Sequence, residues 1–155
     1  MFKTILVASD FSTDADAALA VAIDLARRGP SRLEIVHAHR PDTFVLPPPF
    51  DLVGLQPAAP TFEHVAEALE VRARRVRDEG IEVTSGTLVG PPHEVIVDHA
   101  RDMRADLIVV GSRGLGAVAH ALLGSVAEKV VRHAPCPVLV VRRPRDASAS
   151  SSAPT

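Results

Sequence analysis

The sequence predicts an open α/β protein: one five-stranded parallel sheet with helices on both faces. Two observations carry this. Short aliphatic runs alternate along the chain with longer stretches whose apolar residues recur at helical spacing. The apolar material is also almost wholly aliphatic: 46% of the 155 residues are hydrophobic, yet there are five Phe and no Trp or Tyr. Strands buried on both faces by helices need that composition more than a half-exposed antiparallel sandwich does. The length suits one domain, expected over residues 1–143.

Each element follows in order. Residues Lys3 to Ser9 contain the run ILVA and end at Asp10, as a buried strand would. Ser12 and Thr13 can start a helix, Leu19, Ala22, Ile23 and Ala26 keep its period, and Gly29-Pro30 closes it. Leu33 to His39 is the second strand. From Arg40 to Pro60 the chain is proline-rich, with Pro47-Pro48-Pro49 among Phe44, Phe50 and Leu55. Proline lacks the amide that a ladder or helix interior needs, so an extended loop is expected, either covering a ligand or packing on the surface.

Thr61 to Glu79 reads as a helix with Val65, Ala68, Leu69 and Val76 on one stripe, stopped by Gly80. Ile81 to Val89 is the third strand. Pro91-Pro92 suits a first helical turn, and Ile96, His99, Ala100 and Met103 continue at helical spacing. Asp106 to Val110 is the fourth strand. A glycine-rich stretch, a helix over Ser125 to His133 and a fifth strand at Pro137 to Val141 complete the pattern. The Ser, Ala, Pro and Thr tail of residues 144–155 is expected to be disordered.

The bulk numbers narrow the function. A net charge of −2 and few aromatic platforms argue against nucleic acid, and no apolar run approaches membrane-spanning length. The single cysteine, Cys136, precludes an internal disulfide and suits a reducing compartment. With no secretory pattern at MFKTILVASD, a cytoplasmic protein is expected.

Open parallel sheets bind ligands beyond the carboxyl ends of their strands, near the point where strand order reverses. This directs attention to Ala8-Ser9-Asp10, to His37-Ala38-His39 and to the residues after Val110. The last read Gly111-Ser112-Arg113-Gly114, then nine residues, then Gly124-Ser125. Glycine lets successive backbone amides approach one anion, and a helix opening at Ser125 adds unpaired amides with a partial positive charge. Arg113 could add a charge-assisted contact. A bland alternative stands beside this: Ser125-Val126-Ala127-Glu128 also fits a capping box, and Gly114 and Gly116 could be turn glycines. The spacing alone leaves both readings open.

Gly111-x2-Gly114-x9-Gly124-Ser125 resembles the nucleotide-binding signature of the universal stress protein family. So do ILVASDFS, LEIVHAH, DLIVVGSRG and LLGSVAEKVVRHAPCPVLVVR, and the resemblance spans residues 2–143. It implies a Rossmann-like fold of the adenine nucleotide alpha hydrolase kind and an ATP ligand, with or without Mg2+. It implies that Asp10 bonds the ribose or a neighbouring polar edge, with Ala8 and Ser9 lining the pocket, and that the backbone at Ala38 reads adenine. Val110 and Gly111 would pass the sugar, while Gly114, Gly124, Ser125, Val126 and Ala127 would surround the phosphates. Ala8-Ser9 departs from the Pro-Thr or Val-Asp of many members, but Asp10 is retained. The resemblance also implies a homodimer through the fifth strands; Val138, Leu139, Val140 and Val141 would otherwise form an unprotected edge.

Sharper chemistries fare less well. Phosphoryl transfer wants a positioned nucleophile, metal ligands and a general base, and Asp10 is the single obvious carboxylate at the strand ends. A binding protein that shifts conformation with its nucleotide and is sensed by an unidentified partner is expected, with slow ATP hydrolysis or cyclic AMP sensing as alternatives. A two-component receiver would need an Asp ending the third strand and a Lys after the fifth; the chain has Leu88-Val89-Gly90 and Arg142-Arg143. The seven histidines include His37 and His39 on one side of a strand, but no Cys or carboxylate cluster accompanies them, so no metal site is expected. Cys136 reads as a small buried hydrophobe, and Arg72, Arg74, Arg75 and Arg77, interleaved with Glu70, Asp78 and Glu79, as a solvated helix face.

Overall fold

Alternation along the strands decides which helix covers which face. The computed structural model describes residues 1–40, 61–114 and 123–143. Five strands run parallel in the order β3-β2-β1-β4-β5: β1 (Thr4–Ala8), β2 (Arg32–His39), β3 (Glu82–Val89), β4 (Leu107–Gly111) and β5 (Val138–Val141). Successive strand side chains point to opposite faces. Ile5, Val7, Leu33, Ile35, Leu107 and Val109 therefore meet α1 (Thr13–Ala26) and α2 (Phe62–Asp78) in one apolar core. Leu6, Val36, Ile108 and Val110 meet α3 (Pro92–Asp102) and α4 (Ser125–His133) in the other. Each of these side chains contributes roughly 1.5–3 kcal/mol by leaving water. The predicted architecture is the one observed.

Ends differ from expectation where side chains outcompete the ladder. β1 begins at Thr4, because the backbone N–H groups of Lys3 and Thr4 both donate to Asp106 Oδ2 at 2.9 Å. Those two bonds hold the Asp106 carboxyl below its ordinary pKa. α1 stops at Ala26, before the Gly29-Pro30 pair that was expected to close it. Helix α2 ends at Asp78 with Glu79 as its cap, and the expected stop, Gly80, follows at φ +74°, which lets Ile81 N–H reach back to the Val76 carbonyl. The same C-terminal turn recurs after α3 with Arg104, at φ +53°, in the glycine position.

The order of strands reverses between β1 and β4, whose chain-adjacent strands lie on opposite sides of the pair. β3 and β5 are the sheet edges, and every residue of β5 is half-buried. The proline-rich segment 41–60 and the tail 144–155, for which a loop and disorder were expected, lie outside the described residues.

Candidate functional site

A cleft of about 580 Å3 opens at the carboxyl ends of β1, β2 and β4, at the reversal point. That volume is in the range of ligand pockets, roughly 300–1,000 Å3. Ala8, Ser9 and Asp10 enter it from β1 and its exit, Ala38 from β2, and Val110 and Gly111 from β4. Arg113, Gly114, Gly124, Ser125, Val126 and Ala127 complete the opposite wall. The residues expected to surround the nucleotide thus border one cavity, as does His37, whereas His39 packs on Phe62 outside it.

The apolar part of the cleft forms because Ala8, Ala38 and Val110 share the sheet face covered by α3 and α4, and two of the three are small. Ile96 from α3 and Leu123 close it from above. The sequence did not mark Ile96 or Leu123 for this role, since their spacing reads as ordinary helix packing and loop. Ala15, Ser112 and Glu128 also border the cleft without having been anticipated.

The polar part is built by close backbone approach. Gly111 and α1 are in contact: a Cβ at 111 would sit 2.8 Å from the Ala15 nitrogen and the Asp14 carbonyl carbon. This glycine therefore seats a helix, a packing role the sequence reading did not give it. At Gly114 a Cβ would collide with Asp10 Oδ2, the end of a side chain whose Oδ1 accepts the Ser12 N–H at 3.0 Å. Gly124 is pressed against the Ser112 carbonyl and Arg113 Cα, at 3.3 and 3.4 Å from where its Cβ would be, and its N–H donates to that carbonyl at 2.7 Å.

The capping-box alternative at Ser125 does not hold. Gly124 is the N-cap of α4, no side chain caps the helix, and Ser125 is its first residue. Glu128 bonds Arg132 at 2.8 Å instead of turning back to the cap. The first turn of α4 borders the cleft with its amides uncapped by any side chain, where unpaired N–H groups and the helix dipole favour an anion. Helix α1 contrasts with it: Ser12 Oγ accepts from Ala15 N–H at 3.2 Å.

Behind the β1 exit stands an aromatic stack. Phe11, at φ +65°, lies on the His37 ring with centroids 4.6 Å apart, and the Arg72 guanidinium covers Phe11 at 4.8 Å. Arg72 also pairs with Asp16 at 2.8 Å and is mostly buried, so it leaves the solvated face to which it was assigned. Arg77 does sit on that face, bridging Glu70 at 2.9 Å. His37 Nδ1 lies 2.8 Å from the Ser9 carbonyl, which can only accept, so this nitrogen carries the proton.

Other histidines serve elsewhere: His39 contacts Phe62, His99 bonds Glu34 at 2.7 Å, and His133 Nδ1 meets the Lys129 carbonyl. No group of three or more His, Cys, Asp or Glu converges as a metal site among the described residues. Nor is any of their helices long and apolar enough to cross a membrane. Cys136 is half-buried against the α3–α4 core, and burial followed by the nearby Asp106 charge pushes its thiol pKa up.

Comparison with known proteins points one way. A model of the universal stress protein family matches residues 1–142. The universal stress protein in the QAH/OAS sulfhydrylase 3′ region of Thermus aquaticus is 43% identical over 148 residues, covering 92% of this chain and 100% of that protein. The solved structure of UspA from Lactobacillus plantarum superposes with a TM-score of 0.77 at 30% identity, over 90% of this chain and 97% of that one. Two further universal stress protein structures carry nucleotides. One, in complex with cAMP, has a TM-score of 0.69 at 26% identity, and the other, from Archaeoglobus fulgidus in complex with dAMP, 0.62 at 28%. Each covers 90% of this chain and 97% of its own.

Proposed function

The chain belongs to the universal stress protein family, and from that premise we propose that it is a regulatory protein whose cleft binds ATP. One observation carries the reading: the uncapped first turn of α4 borders the same cavity as the small apolar residues at the ends of β1, β2 and β4. An apolar slot beside a cluster of amides matches a ligand with a flat, weakly polar base at one end and phosphates at the other.

In this reading the base lies against Ala8, Ala38, Val110 and Ile96, where the Ala38 backbone presents a donor and an acceptor. Ser9 and Asp10 face the sugar, the carboxylate accepting from a hydroxyl. The phosphates lie along Gly114 and the amides of Ser125, Val126 and Ala127, with the Arg113 charge alongside. The cleft offers two carboxylates among the described residues, Asp10 and Glu128, and Arg132 engages the second. That donor set suits a Mg2+ held mainly by phosphates and water, with Asp10 as the protein's contribution. Binding is the proposed activity, with slow ATP hydrolysis as its alternative.

A second reading, cyclic AMP or another adenine monophosphate as the ligand, is favoured by the cAMP and dAMP complexes of family members. A cytoplasmic homodimer joined along β5, whose four residues are half-buried at a sheet edge, completes the proposal. Nucleotide occupancy would then set the surface that a protein partner reads.

Calorimetric titration of the full chain with ATP, ADP, AMP, cyclic AMP and GTP, with and without Mg2+, separates the readings. One ATP per chain, bound at least tenfold tighter than GTP, supports the first. Preference for cyclic AMP over ATP supports the second. No binding by any adenine nucleotide overturns both. Light scattering that finds monomer alone at micromolar concentration removes the dimer.

A further inference from the structure

We infer that Ser112 and Asp14 are a positioning pair that holds the phosphate end of the cleft in its binding shape. The inference rests on the nucleotide reading above and assigns roles to two residues outside the glycine signature. Ser112 is 3% exposed and Asp14 8%, and Ser112 Oγ donates to Asp14 Oδ2 at 2.8 Å across 98 residues of sequence. A buried carboxylate is costly unless it is hydrogen-bonded, and this bond meets that need.

Ser112 is also the node where both halves of the glycine stretch meet. Its N–H donates to the Val141 carbonyl and its own carbonyl accepts from Gly124 N–H, each at 2.7 Å. The side-chain bond to Asp14 adds a third anchor, in the first turn of α1. Next to it, Ser12 Oγ reaches the Arg113 carbonyl at 3.4 Å. Gly114 and the α4 amides thus take their positions from a residue pinned on three sides.

Two consequences follow. The Ser112 proton is committed to Asp14, so this hydroxyl borders the cleft without donating to a phosphate. Its contribution is geometric, and it concerns the phosphate end alone, because Ala38 and Ile96 at the other end do not depend on it. Loss of the bond should weaken ligands in proportion to their phosphates and spare those that have none.

The test compares ATP with adenosine by calorimetry on the full chain, in wild type, Ser112→Ala and Ser112→Thr, with thermal melts alongside. Ser112→Ala is expected to lose about tenfold in ATP affinity, the equivalent of one hydrogen bond to a charged group. Adenosine affinity should stay within twofold, and Ser112→Thr, which keeps the hydroxyl, should restore ATP binding. Unchanged ATP affinity in Ser112→Ala overturns the inference, as does an equal loss of ATP and adenosine. If Ser112→Ala does not fold, Asp14→Ala removes the same bond from the helix side and must show the same selective loss. Wild-type protein that binds neither ligand overturns the nucleotide reading itself, a result distinct from any difference among variants.

Discussion

Two glycines of one signature should respond in opposite ways to the same methyl group. At Gly111 an added Cβ would lie 2.8 Å from backbone atoms of Asp14 and Ala15, and backbone inside a packed helix cannot step aside cheaply. Overpacking of this kind costs roughly 1–3 kcal/mol. For a chain of this size each kcal/mol moves Tm by about 2–4 °C, so Gly111→Ala should lower Tm by roughly 2–12 °C. At Gly114 the added Cβ would meet the Asp10 carboxylate, the far end of a side chain rather than backbone, and no positive φ forbids alanine there. Alanine also stiffens the unfolded chain, worth about 0.4–1 kcal/mol, which offsets part of the loss when Asp10 shifts away from Ser12 N–H. Gly114→Ala should therefore melt within a few degrees of wild type while losing at least tenfold, about 1.4 kcal/mol, in ATP affinity. Differential scanning calorimetry and titration calorimetry on both variants decide it. Wild-type ATP binding by Gly114→Ala, or equal destabilisation of the two variants, would refute the reasoning.

Three further outcomes follow from local structure. Arg104 occupies the left-handed turn after α3 at φ +53°, where a side chain costs roughly 1–2 kcal/mol, so Arg104→Gly should raise Tm by a few degrees; a fall would contradict the assignment. The Asp106 pKa is lowered by the backbone bonds from Lys3 and Thr4, so its stabilisation is full above the unfolded carboxylate pKa and is lost as pH falls through the folded one. Asp106→Asn should then be less stable than wild type at pH 7, with the gap closing in acid; a gap that widens in acid would overturn it. Because the Cys136 thiol pKa is raised, alkylation of the native protein should be slow at pH 7 and climb only above the ordinary thiol range, and fast neutral labelling would contradict this.

Much of this was readable from residue order. Short continuous aliphatic runs such as ILVA and DLIVV, set between helical patterns, announce buried strands without tertiary information, and the strand-end rule then pointed to Asp10, Ala38 and the residues after Val110. Contacts between distant residues were invisible. Nothing in the residue order singled out Asp14, and only the fold brings it to Ser112. Ile96 on α3 and Leu123 ahead of α4 likewise became cleft walls only when both helices were laid on the sheet. The capping-box alternative at Ser125 could not be decided from residue order, because S-x-x-E is compatible with that motif without requiring it. Gly124, extended at φ −72° and ψ 153°, is the cap, and its N–H is held by the Ser112 carbonyl. Arg72 escaped its solvated face because Phe11 and Asp16 stand opposite it, a proximity that no helical pattern on α2 could reveal.

The central claim, an adenine nucleotide in this cleft, is tested most directly by amide NMR of isotope-labelled full chain titrated with ATP. The account predicts saturable shifts concentrated at Ala38, Gly114 and Gly124 through Ala127, with the amides of Arg32, Glu34 and Glu82 at the far end of the strands unmoved. No shifts at saturating ATP, or shifts centred on that far end, would contradict it.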